Sequence, residues 1–425
     1  MRLTVVASGN FFSNYGGGQV YVRNLVDELI RQKDHLDLKL SIISFSSSFS
    51  SLPIINKYQG VVLYELNPNG NIEKLLAEIK PDIVHVHGEK LKVAKVCKSL
   101  CIKCIVTAHH GGLVCPAGSL LNTDDKICSI PADYRHCLKC YLRHTPTGLF
   151  WYPLLNKYSQ QRYISIGQQL KRLPFIPFLS PIGETGLIVS EKILEWKELA
   201  ENTTHFIAPS DAMADALKRN GCPESKISII PHGIPLQLQI PHSQFSVLSS
   251  QFIEFYYVGR INYAKGIHVM LKAFLKIDNP DIRLHIIGGT GNKTEQRYMK
   301  MLQKKYQRDS RIIWHGKVPY EQLDRIVKNF QCLIHPTICL EVFGLDISEA
   351  LMQHKYIIAT RCGGAEMQIR NDKYGILVPP NSVESMKEAM LRYIDSPRKS
   401  ECIVESITSH INKLYTLYSE TLSNN

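Results

Sequence analysis

A chain of 425 residues is long enough for two domains with full cores. Hydrophobic residues at 44% and charged residues at 21% fit a globular protein, and no window approaches 18 consecutive apolar residues, so no transmembrane helix is expected. The net charge of +12 favours anionic partners: a nucleotide, a membrane surface or a nucleic acid. The opening MRLTVVASGN turns polar too soon for a signal peptide, which predicts a cytoplasmic protein. In that compartment the 12 cysteines argue against a disulfide framework.

Short apolar, β-branched runs alternate with segments of helical period. The first set of predicted strands is Leu3–Ala7, Leu38–Phe45, Val61–Glu65, Asp82–His87, Cys104–Ala108, His205–Pro209 and Lys226–Pro231. The second is Ile253–Val258, Arg283–Gly288, Arg311–His315, Cys332–Pro336, Tyr356–Thr360 and Gly375–Val378. Such strands, each followed by a helix, imply parallel sheets covered on both faces. Two sets predict an α/β protein of two doubly wound domains, with ligands near the carboxyl ends of their strands. Residues 233–251, rich in Gln and Ser and without acids, read as the linker. Residues 403–422 have helical spacing.

Along the first half, Gly16-Gly17-Gly18 follows the first strand and opens a helix. This is not G-x-G-x-x-G, and no acid closes the second strand, so a dinucleotide reading is weak and a tight turn is the alternative. His109 and His110 end the strand before Gly111. Taken alone, such a histidine is more often structural. Cys115, Cys128, Cys137 and Cys140 form C-x12-C-x8-C-x2-C. Four thiols can close a structural zinc site, and four reduced thiols are the other reading. From Tyr134 to Gly183 there is no Asp or Glu, while Arg143, Lys157, Arg162, Lys171 and Arg172 mix with Tyr141, Phe150, Trp151, Tyr152, Tyr158, Tyr163, Phe175 and Phe178. Basic residues among aromatics suit an anionic lipid interface, or single-stranded nucleic acid.

The second half carries the sharper signals. Residues 256–266, YYVGRINYAKG, run a strand into Gly259, Arg260, Lys265 and Gly266. A rigid guanidinium fork and a mobile ammonium delivered together suit a diphosphate, whereas a surface loop with two solvated cations is the plain alternative. Residues 335–351, HPTICLEVFGLDISEAL, place Glu341 in a loop and Glu349 on the following helix, an E-x7-E arrangement around Gly344 and Leu345. A helix beginning there offers N–H groups and a positive dipole end to an anion, beside two carboxylates that can accept from hydroxyls. An exposed helix cap with two solvated glutamates is the alternative. No D-x-D occurs to hold a metal on a diphosphate.

Together these segments resemble the retaining glycosyltransferases of family 4, a GT-B family, and the likeness spans nearly the whole chain. The resemblance implies two Rossmann-like domains facing a central cleft. They would be an acceptor-side domain over 1–235, with a Cys-rich and basic-aromatic insert at about 113–183, and a nucleotide-sugar-binding domain over 252–400. A helix over 403–425 would return to the first domain. In such enzymes the equivalents of Arg260 and Lys265 hold the donor diphosphate, that of Glu341 contacts the sugar and that of Glu349 the ribose. His109 would lie beside the transferred sugar, and Gly17 and Gly18 would admit donor phosphate and acceptor. Strand ends near Gly289 and Val318 would bracket the nucleobase through their backbone. The loop at 361–369 resembles the family's GG-x-P-E but lacks its proline, which weakens the carry-over to Glu366. Many relatives also carry a comparable cysteine stretch.

The implied activity is retaining transfer of a hexose from a nucleoside diphosphate sugar to a glycan or lipid-linked acceptor, in polysaccharide, glycolipid or glycan biosynthesis. No catalytic cofactor and no nucleic acid are expected, and attachment would be peripheral, on the inner membrane face. A GT-B sugar-nucleotide epimerase would share the clamp but need no acceptor. A nucleic-acid-binding protein would explain the charge but not Glu341 and Glu349, and an inactive zinc-stabilised scaffold would bind no nucleotide.

Overall fold

The computed structural model describes residues 1–7, 9, 11–12, 16–45, 53–143, 152–153, 157, 160–171, 180–235, 251–401 and 404–423. The chain divides into two compact units: Met1–Phe11, Leu29–Ile230 and Thr416–Asn425 form one, Phe12–Glu28 and Pro231–Tyr415 the other.

The first unit is built on an eight-stranded sheet. Its strands are β1 (Arg2–Val6), β2 (Lys39–Phe45), β3 (Ile54–Tyr58), β4 (Val61–Leu66), β5 (Ile83–Val86), β6 (Lys103–Thr107), β7 (His205–Ala208) and β8 (Ile227–Ile229). They lie in the order β3-β4-β2-β1-β5-β6-β7-β8. All pairs are parallel except β3 with β4. Val5, Ile42, Val84, Val106 and Phe206 are wholly buried, as apolar strands covered on two faces must be. β3 is absent from the expected set. It is an antiparallel edge strand with Ile55 66% exposed, so IINKY shows little of the apolar signal that marks a central strand.

In the second unit the strands are β9 (Ile253–Val258), β10 (Ile282–Ile287), β11 (Ile312–Gly316), β12 (Cys332–His335), β13 (Tyr356–Thr360) and β14 (Gly375–Val378). All are parallel, in the order β11-β10-β9-β12-β13-β14. Numbered within the unit this is 3-2-1-4-5-6, the doubly wound order whose reversal point opens a crevice between the two central strands. That point lies between β9 and β12. The core around Phe255, Tyr257, Met270, Phe274, Ile286, Ile334 and Met390 fixes both strands from behind.

The helices are α1 (Gly17–Gln32), α2 (Ile72–Ile79), α3 (Lys90–Ser99), α4 (Tyr134–Leu142), α5 (Gln160–Lys171), α6 (Ser180–Asn202) and α7 (Asp211–Arg219). They continue with α8 (Ile267–Leu275), α9 (Lys293–Tyr306), α10 (Tyr320–Val327), α11 (Leu345–Met352), α12 (Gly364–Gln368), α13 (Val383–Asp395) and α14 (Ile407–Ser423). Two helices are shared out by the division. Most of α1 groups with the second unit, where Tyr21 Oη lies 2.7 Å from His410 Nε2. The last turns of α14 group with the first, where Tyr418 Oη lies 2.7 Å from His85 Nδ1. Among the described residues no helix is long and apolar enough to cross a membrane.

Candidate functional site

The loops that leave β9 and β12 are stitched together. Gly266 takes a left-handed φ of 67°, and a Cβ there would meet the Pro336 carbonyl oxygen at 1.9 Å, so only glycine lets these backbones approach. Ile338 N–H donates to Ala264 O at 2.9 Å. Asn262 caps the turn by accepting from Lys265 N–H at 3.0 Å. Lys265 is thereby set beside Glu341, and its ammonium donates to Glu341 Oε2.

Glu341 is anchored through its own backbone as well. Its N–H donates to Cys362 O at 2.7 Å, and its carbonyl accepts from Gly364 N–H at 2.8 Å. A Cβ on Gly364 would lie 2.4 Å from Phe343 Cα, so the Gly-Gly pair is what admits this contact. Glu366 spends its carboxylate within the same loop, accepting from Gly363 N–H at 3.1 Å.

A third partner, His335, ends β12. Its Nδ1 lies 2.8 Å from Asp346 Oδ2 and its Nε2 3.4 Å from Glu341 Oε2. Burial opposes charge on both residues. For Glu341, Lys265 and His335 overcome it and hold the carboxyl well below its usual range. For His335, Asp346 and Glu341 overcome it and raise the imidazole well above its usual value. Lys265 is likewise raised by Glu341 against its own burial. The group is a charged array of two cations and two anions at the reversal point of the sheet.

Helix α11 begins at Leu345, directly after Gly344. A Cβ on Gly17 would lie 3.2 Å from Leu345 Cδ1, so the starts of α1 and α11 stand side by side within this unit. Two positive helix ends therefore meet near Lys265, an arrangement that favours an anion. Gly18 is half-buried in the first turn of α1. Arg260, at the end of β9, is 53% exposed and donates through Nε to Glu295 at 2.8 Å.

Glu349 lies one turn along α11, where Tyr320 Oη donates to its Oε1 at 2.8 Å. Burial pushes its carboxyl up to about 8, with Asp346 and Asp324 adding to the shift. Tyr320 also engages the Asn24 side chain. Gly289 and Val318 follow β10 and β11 in the same sheet, and Gly289 O accepts from Ile261 N–H at 2.8 Å. The structure thus brings Lys265, Glu341, Gly344, Leu345 and Gly17 together, with Arg260 and Glu349 on flanking elements.

His109 belongs to the first unit, just past β6. Its Nε2 lies 2.8 Å from His87 Nδ1 at the end of β5. His87 in turn packs on His85, with ring centroids 4.2 Å apart, and His85 Nε2 lies 2.7 Å from Thr107 Oγ1. Sequence reading singled out neither His87 nor His335, Tyr320 and Glu295. His87, Tyr320 and Glu295 act through partners 22, 29 and 35 residues away, whereas His335 acts on Glu341 and Asp346 within the quoted E-x7-E segment.

The cysteine expectation fares differently. His136 Nε2 lies 3.7 Å from Cys128 Sγ and 3.9 Å from Cys140 Sγ. Among the described residues no group of three or more His, Cys, Asp or Glu side chains is arranged to hold a metal ion. Burial, reinforced by Cys115, pushes the Cys137 thiol up to about 12, and Cys115 and Cys140 also rise through burial. A structural zinc on these four cysteines thus finds no support among the described residues. Cys137 packs with Tyr134, Leu138, Val189 and Ile193, an apolar role. Of the basic-aromatic stretch, Phe150, Trp151, Tyr158, Arg172, Phe175 and Phe178 lie outside the described residues.

Comparison with known proteins meets this geometry. The profile for Glycosyl transferases group 1 matches residues 241–409, and that for Glycosyltransferase Family 4 matches residues 187–238. An uncharacterized glycosyltransferase of Methanocaldococcus jannaschii is 23% identical over 270 residues, covering 59% of this chain and 68% of that one. The D-inositol 3-phosphate glycosyltransferase of Corynebacterium urealyticum is 24% identical over 238 residues, covering 52% of this chain and 55% of its own length. Among solved structures, Anabaena HepE in complex with UDP and glucose matches with a TM-score of 0.62 at 15% identity, over 100% of this chain and 99% of that one. Sucrose-phosphate synthase from Thermosynechococcus elongatus matches with a TM-score of 0.64 at 16% identity, over 100% and 94%. At these identities the structural likeness shows the fold, which is GT-B.

Proposed function

Since the chain belongs to the family 4 glycosyltransferases of GT-B fold, we propose that it moves a hexose from a nucleoside diphosphate sugar to an acceptor with retention of configuration. One observation carries this reading: Lys265, Glu341 and the start of α11 converge at the reversal point of the second sheet. A diphosphate would meet the Lys265 ammonium, the Arg260 guanidinium and the N–H groups at Leu345. Glu341 would orient sugar hydroxyls, and Glu349 would accept from the ribose. The relatives support the class of donor, since HepE is described in complex with UDP and glucose.

As the bond from the anomeric carbon to the phosphate oxygen breaks, its electron pair passes to the leaving diphosphate. Lys265, Arg260 and the helix end face that developing charge, and a single preorganised donor of this kind is worth roughly 2.7–4 kcal/mol. The acceptor oxygen bonds the anomeric carbon on the same face, and a phosphate oxygen takes its proton. These three sources of positive potential would take the part that a metal held by D-x-D plays in other glycosyltransferases, and the proposed reaction uses no catalytic cofactor.

The acceptor is assigned to the first unit, where His109 is the candidate contact residue. The His109 ring is held by His87, which restricts the orientation of the imidazole. A lipid-linked or membrane-proximal glycan is the acceptor favoured by the acid-free basic-aromatic stretch between Tyr134 and Gly183. Incubation with a panel of nucleoside diphosphate sugars and simple glycosides tests the reading, with the product's anomeric coupling read by NMR. Retained configuration and released nucleoside diphosphate are expected. An inverted product, or consumption of donor at full rate with no acceptor, would overturn it.

A further inference from the structure

Arg260, assigned above to the donor diphosphate, is held by two neighbours. Its Nε donates to Glu295 Oε2 at 2.8 Å, and the same oxygen accepts from Gly291 N–H at 2.6 Å. Glu295 is itself fixed. It occupies the first turn of α9, where the Asn292 side chain caps its N–H at 2.9 Å, and its side chain is only 13% exposed against 53% for Arg260. A carboxylate there is also favoured by the helix dipole. A helix-capping role alone would not need the second contact, to a cation 35 residues back on another loop.

The geometry of the contact matters. An arginine presents two bidentate edges, one through Nε and one through its two terminal nitrogens. Glu295 takes the Nε side and leaves the terminal edge directed away from it. Gly291 admits the same pose because it lacks a side chain. A Cβ there would lie 2.4 Å from Arg260 Nη2 and 2.8 Å from Cζ, so any side chain would displace the guanidinium. Displacing a flexible side-chain end costs the fold little, but it would move the charge.

We infer that Glu295 and Gly291 are positioning residues for the donor diphosphate, acting through Arg260. The clamp is then a four-part device: Arg260 and Lys265 from the loop after β9, and Gly291 and Glu295 from the loop and first turn after β10. Glu295 holds the guanidinium in place before the ligand arrives, so less ordering is needed on binding. This rests on the assignment of Arg260 to the diphosphate.

The test is a double-mutant cycle read by calorimetry with UDP, GDP and ADP, following whichever the wild-type enzyme binds. Arg260→Ala is expected to weaken that nucleotide. Glu295→Ala and Gly291→Ala are each expected to weaken it about tenfold, the worth of one hydrogen bond to a charged group. Glu295→Gln keeps the acceptor oxygen and should restore most of the affinity. In the Arg260→Ala background, Glu295→Ala should have no further effect. If Arg260→Ala binds as wild type, the diphosphate assignment itself fails. If Arg260→Ala weakens binding while both Glu295→Ala and Gly291→Ala leave it intact, the positioning inference fails alone. It also fails if Glu295→Ala costs as much without Arg260 as with it, because the effect would then run through the fold.

Discussion

Lys265 and Glu341, 76 residues apart, form one ion pair at the reversal point of the second sheet. The pair joins the residue assigned to the diphosphate with the residue assigned to the sugar. Neither is free to move alone, and His335, held by Asp346, backs the carboxylate from the other side. Glu341→Ala is therefore expected to lower kcat by about 10²–10³, with less effect on nucleoside diphosphate affinity than Lys265→Ala. Some stability should be lost too, since removing one partner leaves the other's charge uncompensated. Steady-state kinetics beside thermal melting checks this. Wild-type turnover in a folded Glu341→Ala enzyme would remove the residue from the site.

Donor affinity should depend on pH through Glu349. Burial and two nearby aspartates raise its carboxyl to about 8, so it is mostly protonated at pH 7 and ionises above about 8. If the ribose hydroxyls donate to the ionised form, affinity rises with pH and levels off past that value. A rise of about tenfold between pH 7 and 9 follows by linkage. The same carboxyl acts on stability with the opposite sign. Because its folded pKa lies above the unfolded value, its contribution is full below about 4.5 and is lost as pH climbs toward 8. Glu349→Gln should flatten the affinity profile. A profile unchanged by that substitution would reject the ribose contact.

Chelation should leave transfer intact at first. In the proposed site the positive potential at the diphosphate would come from Lys265, Arg260 and the start of α11, and the sequence has no D-x-D. Activity is expected to persist through EDTA treatment within assay error. Prompt, complete loss restored by magnesium or manganese would contradict the metal-free account.

Five cations between Arg143 and Arg172, with no acidic residue among them, should bring the protein to anionic liposomes. Each is worth about 1 kcal/mol near such a surface. Sedimentation with phosphatidylserine vesicles at low salt should carry the protein down, and high salt should release it. If it stays in the supernatant at low salt, a soluble acceptor is the better reading.

What the sequence made legible follows from how the signals arise. Central strands such as β9 and β12 are buried on both faces, so Ile253–Val258 and Cys332–His335 stand out as apolar runs. Edge strand β3 carries no such burden and was missed. Lys265, Glu341 and Glu349 could be located because each sits at a fixed offset from a strand end or helix start. Glu295, Tyr320, His335 and His87 could not, because each matters through a contact made only on folding: Glu295 to Arg260, Tyr320 to Glu349, His335 to Asp346 and Glu341, His87 to His109. Nor does a linear reading show that Phe12–Glu28 groups with the second unit, since that follows from contacts such as Gly17 on Leu345 and Tyr21 on His232 and His410. The cysteine spacing names four thiols but cannot arrange them around an ion: among the described residues no group of three such ligands is arranged to hold a metal, and Cys137 also packs in an apolar cluster.

The central claim is a nucleoside diphosphate site held by Lys265 in the second unit. Calorimetric titration of the wild-type protein and of Lys265→Ala with UDP, GDP, ADP and dTDP tests it most directly. The expected result is saturable one-to-one binding of at least one of the four by the wild type. In the folded Lys265→Ala protein that affinity should fall at least about tenfold, as loss of a charge-assisted phosphate contact requires. No binding of any of the four by the wild type, or equal affinity in the variant, would contradict the account.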